Sequence, residues 1–200
     1  MDVLSNPLPN EIPEKTQNQT ANSYTTPDLK KFSDERQATI VQYKTSYYTF
    51  CLPVRLAMYL ANIQSPEVHS QAESILLRIG YLFQVQDDYL DCYGDPTITG
   101  KIGTDIEDGK CSWLAVRAIE RSNDHQKLIL EQFYGSNDPE YVSRIKELYS
   151  ELDLQNHFLD WEKNQFDDIC DLIENIDENQ SGLSKKIFNQ ILQMIYRRKK

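Results

Sequence analysis

From Pro27 to the end of the chain, no segment alternates apolar and polar residues over more than about five positions, so nothing there reads as a half-buried strand. Apolar residues recur at helical spacing instead, and capping chemistry marks where the helices begin. Ser65-Pro66 is the clearest start: the serine oxygen accepts from the orphan amides of a first turn, and proline at the first helical position lacks only an N–H that has no partner there. The helix it opens continues to Tyr93, with Ile75, Leu76, Ile79, Leu82, Phe83 and Val85 supplying its buried face. An earlier helix is expected from Asp34 to Asn62. Ser33 is its cap, and Asp34 and Glu35 suit the positive end of its dipole. Pro53 lies inside that helix, where it removes a hydrogen bond and strikes the carbonyl of Thr49, which predicts a kink near residues 45–50 with loosened carbonyls.

After Tyr93 comes a long segment, Gly94 to Gly109, that holds Gly94, Gly100, Gly103 and Gly109. It reads as a loop without structure of its own, and loops of that length are functional or disordered. Helices are then expected at about 111–122, 124–134, 138–150, 155–177 and 183–198. The expected fold is all-α, with long antiparallel helices over residues 26–200. Residues 1–25 are rich in Asn, Gln, Thr, Ser and Pro and are read as a disordered polar tail.

Charge and composition narrow the function classes. Lys and Arg number 21 against 31 Asp and Glu, a net charge of −10, which argues against nucleic acid or an anionic membrane as the main partner. No run of apolar residues is long enough for a membrane-spanning helix. Cys51, Cys92, Cys111 and Cys170 form no CxxC pair, have no histidine at zinc-site spacing and follow no signal-peptide pattern. They read as free thiols of a cytoplasmic protein. His69, His125 and His157 read as surface residues, and Tyr43, Tyr47, Tyr48 and Phe50 as core packing.

The chemistry-bearing stretch is Phe83-Gln84-Val85-Gln86-Asp87-Asp88-Tyr89-Leu90-Asp91. On a helix Asp87 and Asp91 share a face and Asp88 lies beside them. Unit charges crowded at ~6 Å repel by about 2–3 kcal/mol per pair at an effective dielectric near 20. No Lys or Arg between Arg78 and Lys101 offsets that repulsion, whereas a divalent cation would. Oxygen ligands without His or Cys favour Mg²⁺ or Mn²⁺, and Mg²⁺ takes one or two carboxylates and completes its shell with water and phosphate. Alone, the pattern fits a solvated acidic face equally well. The glycine-rich segment that follows carries Lys101, with Lys110 at its end. Lysine is a compact point charge suited to phosphate, although each of these, like Lys44, also fits an ordinary surface position.

Here the residues carry a resemblance. Tyr43-Lys44-Thr45-Ser46-Tyr47-Tyr48-Thr49-Phe50, with Leu52-Pro53-Val54 and Met58-Tyr59, is similar to a segment of the farnesyl diphosphate synthases, within the trans-isoprenyl diphosphate synthase family. So are the acidic stretch with Gly94-Asp95-Pro96, then Thr99-Gly100-Lys101-Ile102-Gly103-Thr104-Asp105-Ile106 and Lys110-Cys111-Ser112-Trp113-Leu114. The basic end Ile195-Tyr196-Arg197-Arg198-Lys199 resembles theirs, and the match, insect-like in flavour, covers Pro27 to Lys200.

The resemblance implies the isoprenoid synthase fold and head-to-tail prenyl transfer, in which a dimethylallyl or geranyl diphosphate is ionised and isopentenyl diphosphate attacks the cation. Asp87, Asp88 and Asp91 would be the second aspartate-rich motif and bind Mg²⁺. Lys44, Lys101 and Lys110 would contact the allylic diphosphate. Thr45 and the carbonyl of Lys44 would face the developing carbocation, with Gln84 and Tyr48 around it. Arg197 and its basic neighbours would close over isopentenyl diphosphate. One departure is Gln37, where the family has an aromatic. A larger one is that family members carry an N-terminal half with a first aspartate-rich motif, and residues 1–25 contain no DDxxD. The expectation is a truncated or short-form prenyltransferase that does not turn over alone. The alternative is a non-catalytic helical subunit or remnant that binds Mg²⁺-diphosphate weakly or pairs with a full-length synthase; under either reading the expected protein partner is a second copy in a homodimer or a full-length synthase.

Overall fold

A computed structural model describes residues 27–199, so the expected polar tail at 1–25 lies outside the described residues. Among those residues the regular structure is entirely helical, as expected. After a 3₁₀ turn at Leu29–Lys31 come α1 (Asp34–Val41), a π-helical segment (Gln42–Cys51) and α2 (Leu52–Leu60). Then follow α3 (Pro66–Tyr93), α4 (Pro96–Thr99), α5 (Trp113–Arg121), α6 (Asp124–Phe133) and α7 (Pro139–Glu151). The chain ends with α8 (Leu154–Glu174), α9 (Glu178–Ser181) and α10 (Lys185–Ile195).

The caps read from sequence are in place. Ser33 Oγ accepts from Arg36 N–H and Ser65 Oγ from Val68 N–H. α3 has 28 residues, about 42 Å of axis, and is the axis of the molecule. Its first half packs Ala72, Ile75, Leu76, Ile79 and Leu82 against Phe50, Cys51 and Met58, and against Ile169, Ile173, Phe188 and Leu192 from α8 and α10. Its second half contributes Val85 to another core with Trp113, Leu114, Ile129, Phe133, Ile145, Leu148 and Phe158. Trp161 on α8 touches both cores and joins them. A buried polar clasp ties the same three helices: Gln86 Nε2 on α3 donates to Glu162 Oε1 on α8 at 2.6 Å and to the carbonyl of Ile195 on α10 at 2.8 Å.

Several expectations need correction. Before Pro53 the backbone departs from regular α-helix, and it does so over a longer stretch than residues 45–50. The backbone before it widens to π-helical hydrogen bonding over Gln42–Cys51, and Leu52 N–H still bonds the carbonyl of Tyr47, five residues back. Spreading the mismatch over a longer ring keeps the helix continuous where an i−4 bond is unavailable. The segment after Tyr93 is not structureless: Asp95 caps the single turn α4, and Gly100 closes it in the left-handed region at φ 75°. Tyr43 and Tyr48 are 69% and 73% exposed rather than core residues, because the widened segment turns them outward while Phe50 stays buried. His69 is buried, not superficial, its Nε2 2.9 Å from the carbonyl of Ile63 and its ring against Tyr59. Gln37 is also buried, where its Oε1 accepts from Tyr81 Oη at 2.8 Å. The cysteines are free thiols, as expected.

α3 meets the π segment closely at Gly80. A Cβ there would lie 2.6 Å from Ser46 Cα, a backbone atom that cannot swing aside. Gly80→Ala is expected to destabilise the fold by about 1–3 kcal/mol, read as a lower urea midpoint at unchanged slope.

Candidate active site

The C-terminal turns of α3 bring three carboxylates to the negative end of a long helix dipole, an unfavourable arrangement unless each finds a partner. Asp87 points to the surface, 37% exposed, with Lys101 Nζ 3.2 Å and Arg198 Nη2 3.8 Å from its Oδ1. Asp91 is half-buried and its Oδ2 accepts the backbone N–H of Asp105 at 2.9 Å. Asp88 turns inward: Oδ2 accepts the N–H of Trp113, the first residue of α5, at 2.8 Å, and Oδ1 accepts from Gln84 Nε2 at 3.0 Å. Burial pushes its carboxyl up to about 7 against the pull of those two hydrogen bonds. No basic residue of the helix itself offsets the acidic cluster; folding brings two cations from outside it to Asp87 and a helix N-terminus to Asp88.

The loop is held on this helix end by close contact. At Gly103 a Cβ would lie 2.6 Å from Asp91 Oδ2 and closer still to the Asp91 carbonyl, so only glycine lets the backbone approach. Asp105, which the sequence reading passed over, comes to the same place. Its carboxyl is raised, first by burial and also by Asp91 and Asp87, although Lys110 opposes that shift. Lys110 lies 2.7 Å from Asp105 and 3.3 Å from Asp108, not beside Asp87.

The other expected site residues divide. Thr45 is buried, and its Oγ1 donates to Gln84 Oε1 at 2.6 Å, which joins the π segment to the acidic helix. Lys44 is exposed beside it. Tyr48 lines a groove of about 430 Å³ with Tyr43, Tyr47, Leu52, Leu56 and Tyr59, on the outer face of the π segment and α2. Arg197 is not the basic residue at the acidic cluster: it is exposed, with φ 52°, and lies over the Tyr196 ring. Arg198 takes that position, with Nη2 donating to the Phe83 carbonyl at 3.2 Å, Nε to Gln86 Oε1 at 3.3 Å, and its guanidinium over the Phe83 ring. Gln86 and Arg198 both lie in the stretches that carry the resemblance, but their mutual contact, 112 residues apart in sequence, has no local signal. Asp105 had a signal in the Gly-Thr-Asp run of the loop.

Among the described residues, no three His, Cys, Asp or Glu side chains converge as an ion site. The donor chemistry nonetheless fits a hard cation in part. Asp87 is an accessible carboxylate with Asp91 one turn on and Asp105 close by, and Mg²⁺ uses one or two carboxylates when water and phosphate complete its shell. Asp88 faces away from that surface, with both oxygens in internal hydrogen bonds.

Comparison with known proteins decides the family. The sequence pattern of the Polyprenyl synthetase family matches residues 11–152. The chain belongs to the Polyprenyl synthetase family. Among relatives of this polyprenyl synthetase chain, chicken farnesyl pyrophosphate synthase is 47% identical over 173 residues, covering 86% of this chain and 46% of its own. The Schizosaccharomyces pombe farnesyl pyrophosphate synthase is 48% identical over the same share of this chain and 50% of its own. A solved T. brucei farnesyl diphosphate synthase complexed with the bisphosphonate BPH-722 superposes with a TM-score of 0.79 at 32% identity, over 96% of this chain and 52% of that one. The chain thus spans about half the length of the curated relatives it matches.

Gly103→Ala is expected to lift the loop from α3 and free the Asp105 amide. Hydrogen exchange at that amide rises by roughly 10–100-fold, the scale of one hydrogen bond to a carboxylate.

Proposed function

We propose that this chain carries the allylic-diphosphate half of a farnesyl diphosphate synthase-type prenyltransferase site, acting in the cytoplasm. The observation that carries this reading is one surface on which Asp87, Lys101 and Arg198 meet, with Asp91 and Asp105 alongside. Asp87 and Asp91 hold Mg²⁺, or Mn²⁺ in its place, and Lys101, Lys44 and Arg198 take diphosphate oxygens. The bound cation supplies charge neutralisation of the leaving diphosphate. Lys101 and Arg198 already pair with Asp87 and move only a short way to reach a diphosphate held there. Lys110, tied to Asp105 and Asp108, holds the loop and screens its carboxylates. The Thr45–Gln84 pair lies one turn of α3 before Asp88, where the hydrocarbon end of such a substrate meets oxygen dipoles rather than water. Isopentenyl diphosphate is the second substrate, with Arg197 and the basic end of the chain reaching over it.

A second reading has its own observation. Tyr43, Tyr48, Leu52, Leu56, Tyr59 and Leu60 leave an apolar face on the π segment and α2, with Leu60 90% exposed. A face of this kind suits a homodimer or pairing with a full-length synthase.

Titration of the chain with geranyl diphosphate in Mg²⁺ is expected to give calorimetric heat that chelation removes. Asp87→Ala weakens binding by at least roughly tenfold, the loss of one charged contact. Absence of heat in saturating Mg²⁺ would overturn the reading. The 200-residue chain mixed with both diphosphates is expected to release no farnesyl product, because the Asp87, Asp88 and Asp91 cluster stands in a chain that spans about half the length of the farnesyl pyrophosphate synthases it matches. Product detected by mass spectrometry would show that this cluster suffices.

A further inference from the structure

The turn at 104–110 meets α3 at one place and the end of α6 at another. Toward α3, the Asp105 N–H donates to Asp91 Oδ2 at 2.9 Å. Toward α6, three contacts hold it. Tyr134, which ends α6, is 2% exposed, and its Oη donates to the Lys110 carbonyl at 2.6 Å, with the Asp105 carbonyl sharing that hydrogen at 3.3 Å. Gly135 N–H donates to the carbonyl of Ile106 at 2.9 Å, and the Ile106 side chain is buried in the same core as Tyr134. Pro27 closes the contact: a Cβ on either Gly109 or Gly135 would lie 2.9 Å from Pro27 Cγ.

Residues 105 and 110 are the two ends of this turn. They are joined by Lys110 N–H to the Asp105 carbonyl at 3.0 Å and by Lys110 Nζ to Asp105 Oδ1 at 2.7 Å. Those bonds close the turn on itself and leave open where it sits against the helices. The phenol of Tyr134 reaches the carbonyls of both ends, so it ties the closed turn to the frame. Its ring lies edge-on to Phe32, with centroids 6.1 Å apart at 88°, which fixes the direction of the hydroxyl.

We propose that Tyr134 is a positioning residue for the cation-binding face: it fixes the 104–110 turn so that the Asp105 amide stays on one oxygen of Asp91 and the other oxygen is kept for a divalent cation. A ligating carboxylate that is itself hydrogen-bonded holds its ion in one orientation, and loss of such an outer partner costs roughly 10–100-fold in metal affinity. The cation half of this statement rests on the diphosphate reading above; the placing of the Asp105 amide does not.

Tyr134→Phe removes the donor and keeps the ring. Replacing Tyr134 by 4-aminophenylalanine puts an N–H donor back at the same ring position. In Tyr134→Phe, hydrogen exchange at the Asp105 amide is expected to rise by roughly tenfold, the scale of one hydrogen bond. The Thr99 and Gly100 amides of α4, which bond Asp95 and Pro96 and not this turn, keep their rates. Mg²⁺ is then titrated into each protein with geranyl diphosphate held at one concentration. Half-saturation is expected at roughly tenfold higher Mg²⁺ in Tyr134→Phe and at the wild-type value with 4-aminophenylalanine. A purely structural role lowers the urea midpoint and leaves the Mg²⁺ requirement unchanged, and that result overturns the proposal. Unchanged exchange at Asp105, or no recovery with the aromatic amine, does the same. If Tyr134→Phe does not fold, wild-type exchange in sub-denaturing urea decides: the Asp105, Lys110 and Gly135 amides open as one unit, and independent opening of Asp105 counts against Tyr134. If the wild type binds no geranyl diphosphate at any Mg²⁺ concentration, the diphosphate reading and the cation half fail together, while exchange still decides whether Tyr134 places the Asp105 amide.

Discussion

Negative charge at the C-terminal end of α3 is the constraint around which the second half of the molecule is arranged. A helix of 28 residues ends in a partial negative charge, and Asp87, Asp88 and Asp91 add to it. The surrounding structure answers each carboxylate differently. Asp88 receives the N-terminus of α5, whose own cap is Ser112, so a positive dipole end meets a buried acid. Asp91 receives a backbone amide from the loop, which Gly103 allows to come close. Asp87 is left at the surface with two side-chain cations, Lys101 and Arg198. Of the three, only Asp87 is met by side-chain cations rather than by a backbone amide.

A second constraint acts from the other side of α3. The π-helical segment at Gln42–Cys51 lies against α3 at Gly80, where Ser46 leaves no room for a Cβ. That approach places the Thr45 hydroxyl within hydrogen-bond distance of Gln84. Widened helical segments of this kind occur at functional sites because they shift the phase of side chains without ending the helix. Here the shift sends Thr45 inward and Tyr43 and Tyr48 outward, which explains why one strip of sequence carries both a buried polar link and an apolar outer groove. The clasp of Gln86 with Glu162 and the Ile195 carbonyl then brings the end of α10, and with it Arg198, to the acidic turns.

The fold class and nearly every helix were legible in the sequence because their causes are local. Ser33, Ser65 and Asp138 cap the helices they precede, and each cap acts over two or three residues. The placing of Asp87, Asp88 and Asp91 on the last turns of one helix was legible for the same reason. What local reading misjudged was response rather than pattern. Pro53 marked a real irregularity, but its π-helical form and its packing against α3 at Gly80 carry no local signal. The burial of His69 and Gln37 likewise depends on Ile63, Tyr59 and Tyr81, none of which a periodicity argument assigns to them.

By itself, then, the amino-acid order determined an all-helical chain, the ends of its helices, and a concentration of carboxylates before a glycine-rich segment with lysines. Those features arise from capping, 3.6-residue spacing and like-charge crowding, which act within a few residues. Only the tertiary structure decided which acid faces solvent and which is buried, and which cation each one meets. Lys101 is 14 residues from Asp87, and Arg198 is 112 from the Gln86 that docks it. Pairings across such distances in sequence are set by how α3, α8 and α10 pack, because side-chain charges interact through space and not along the chain.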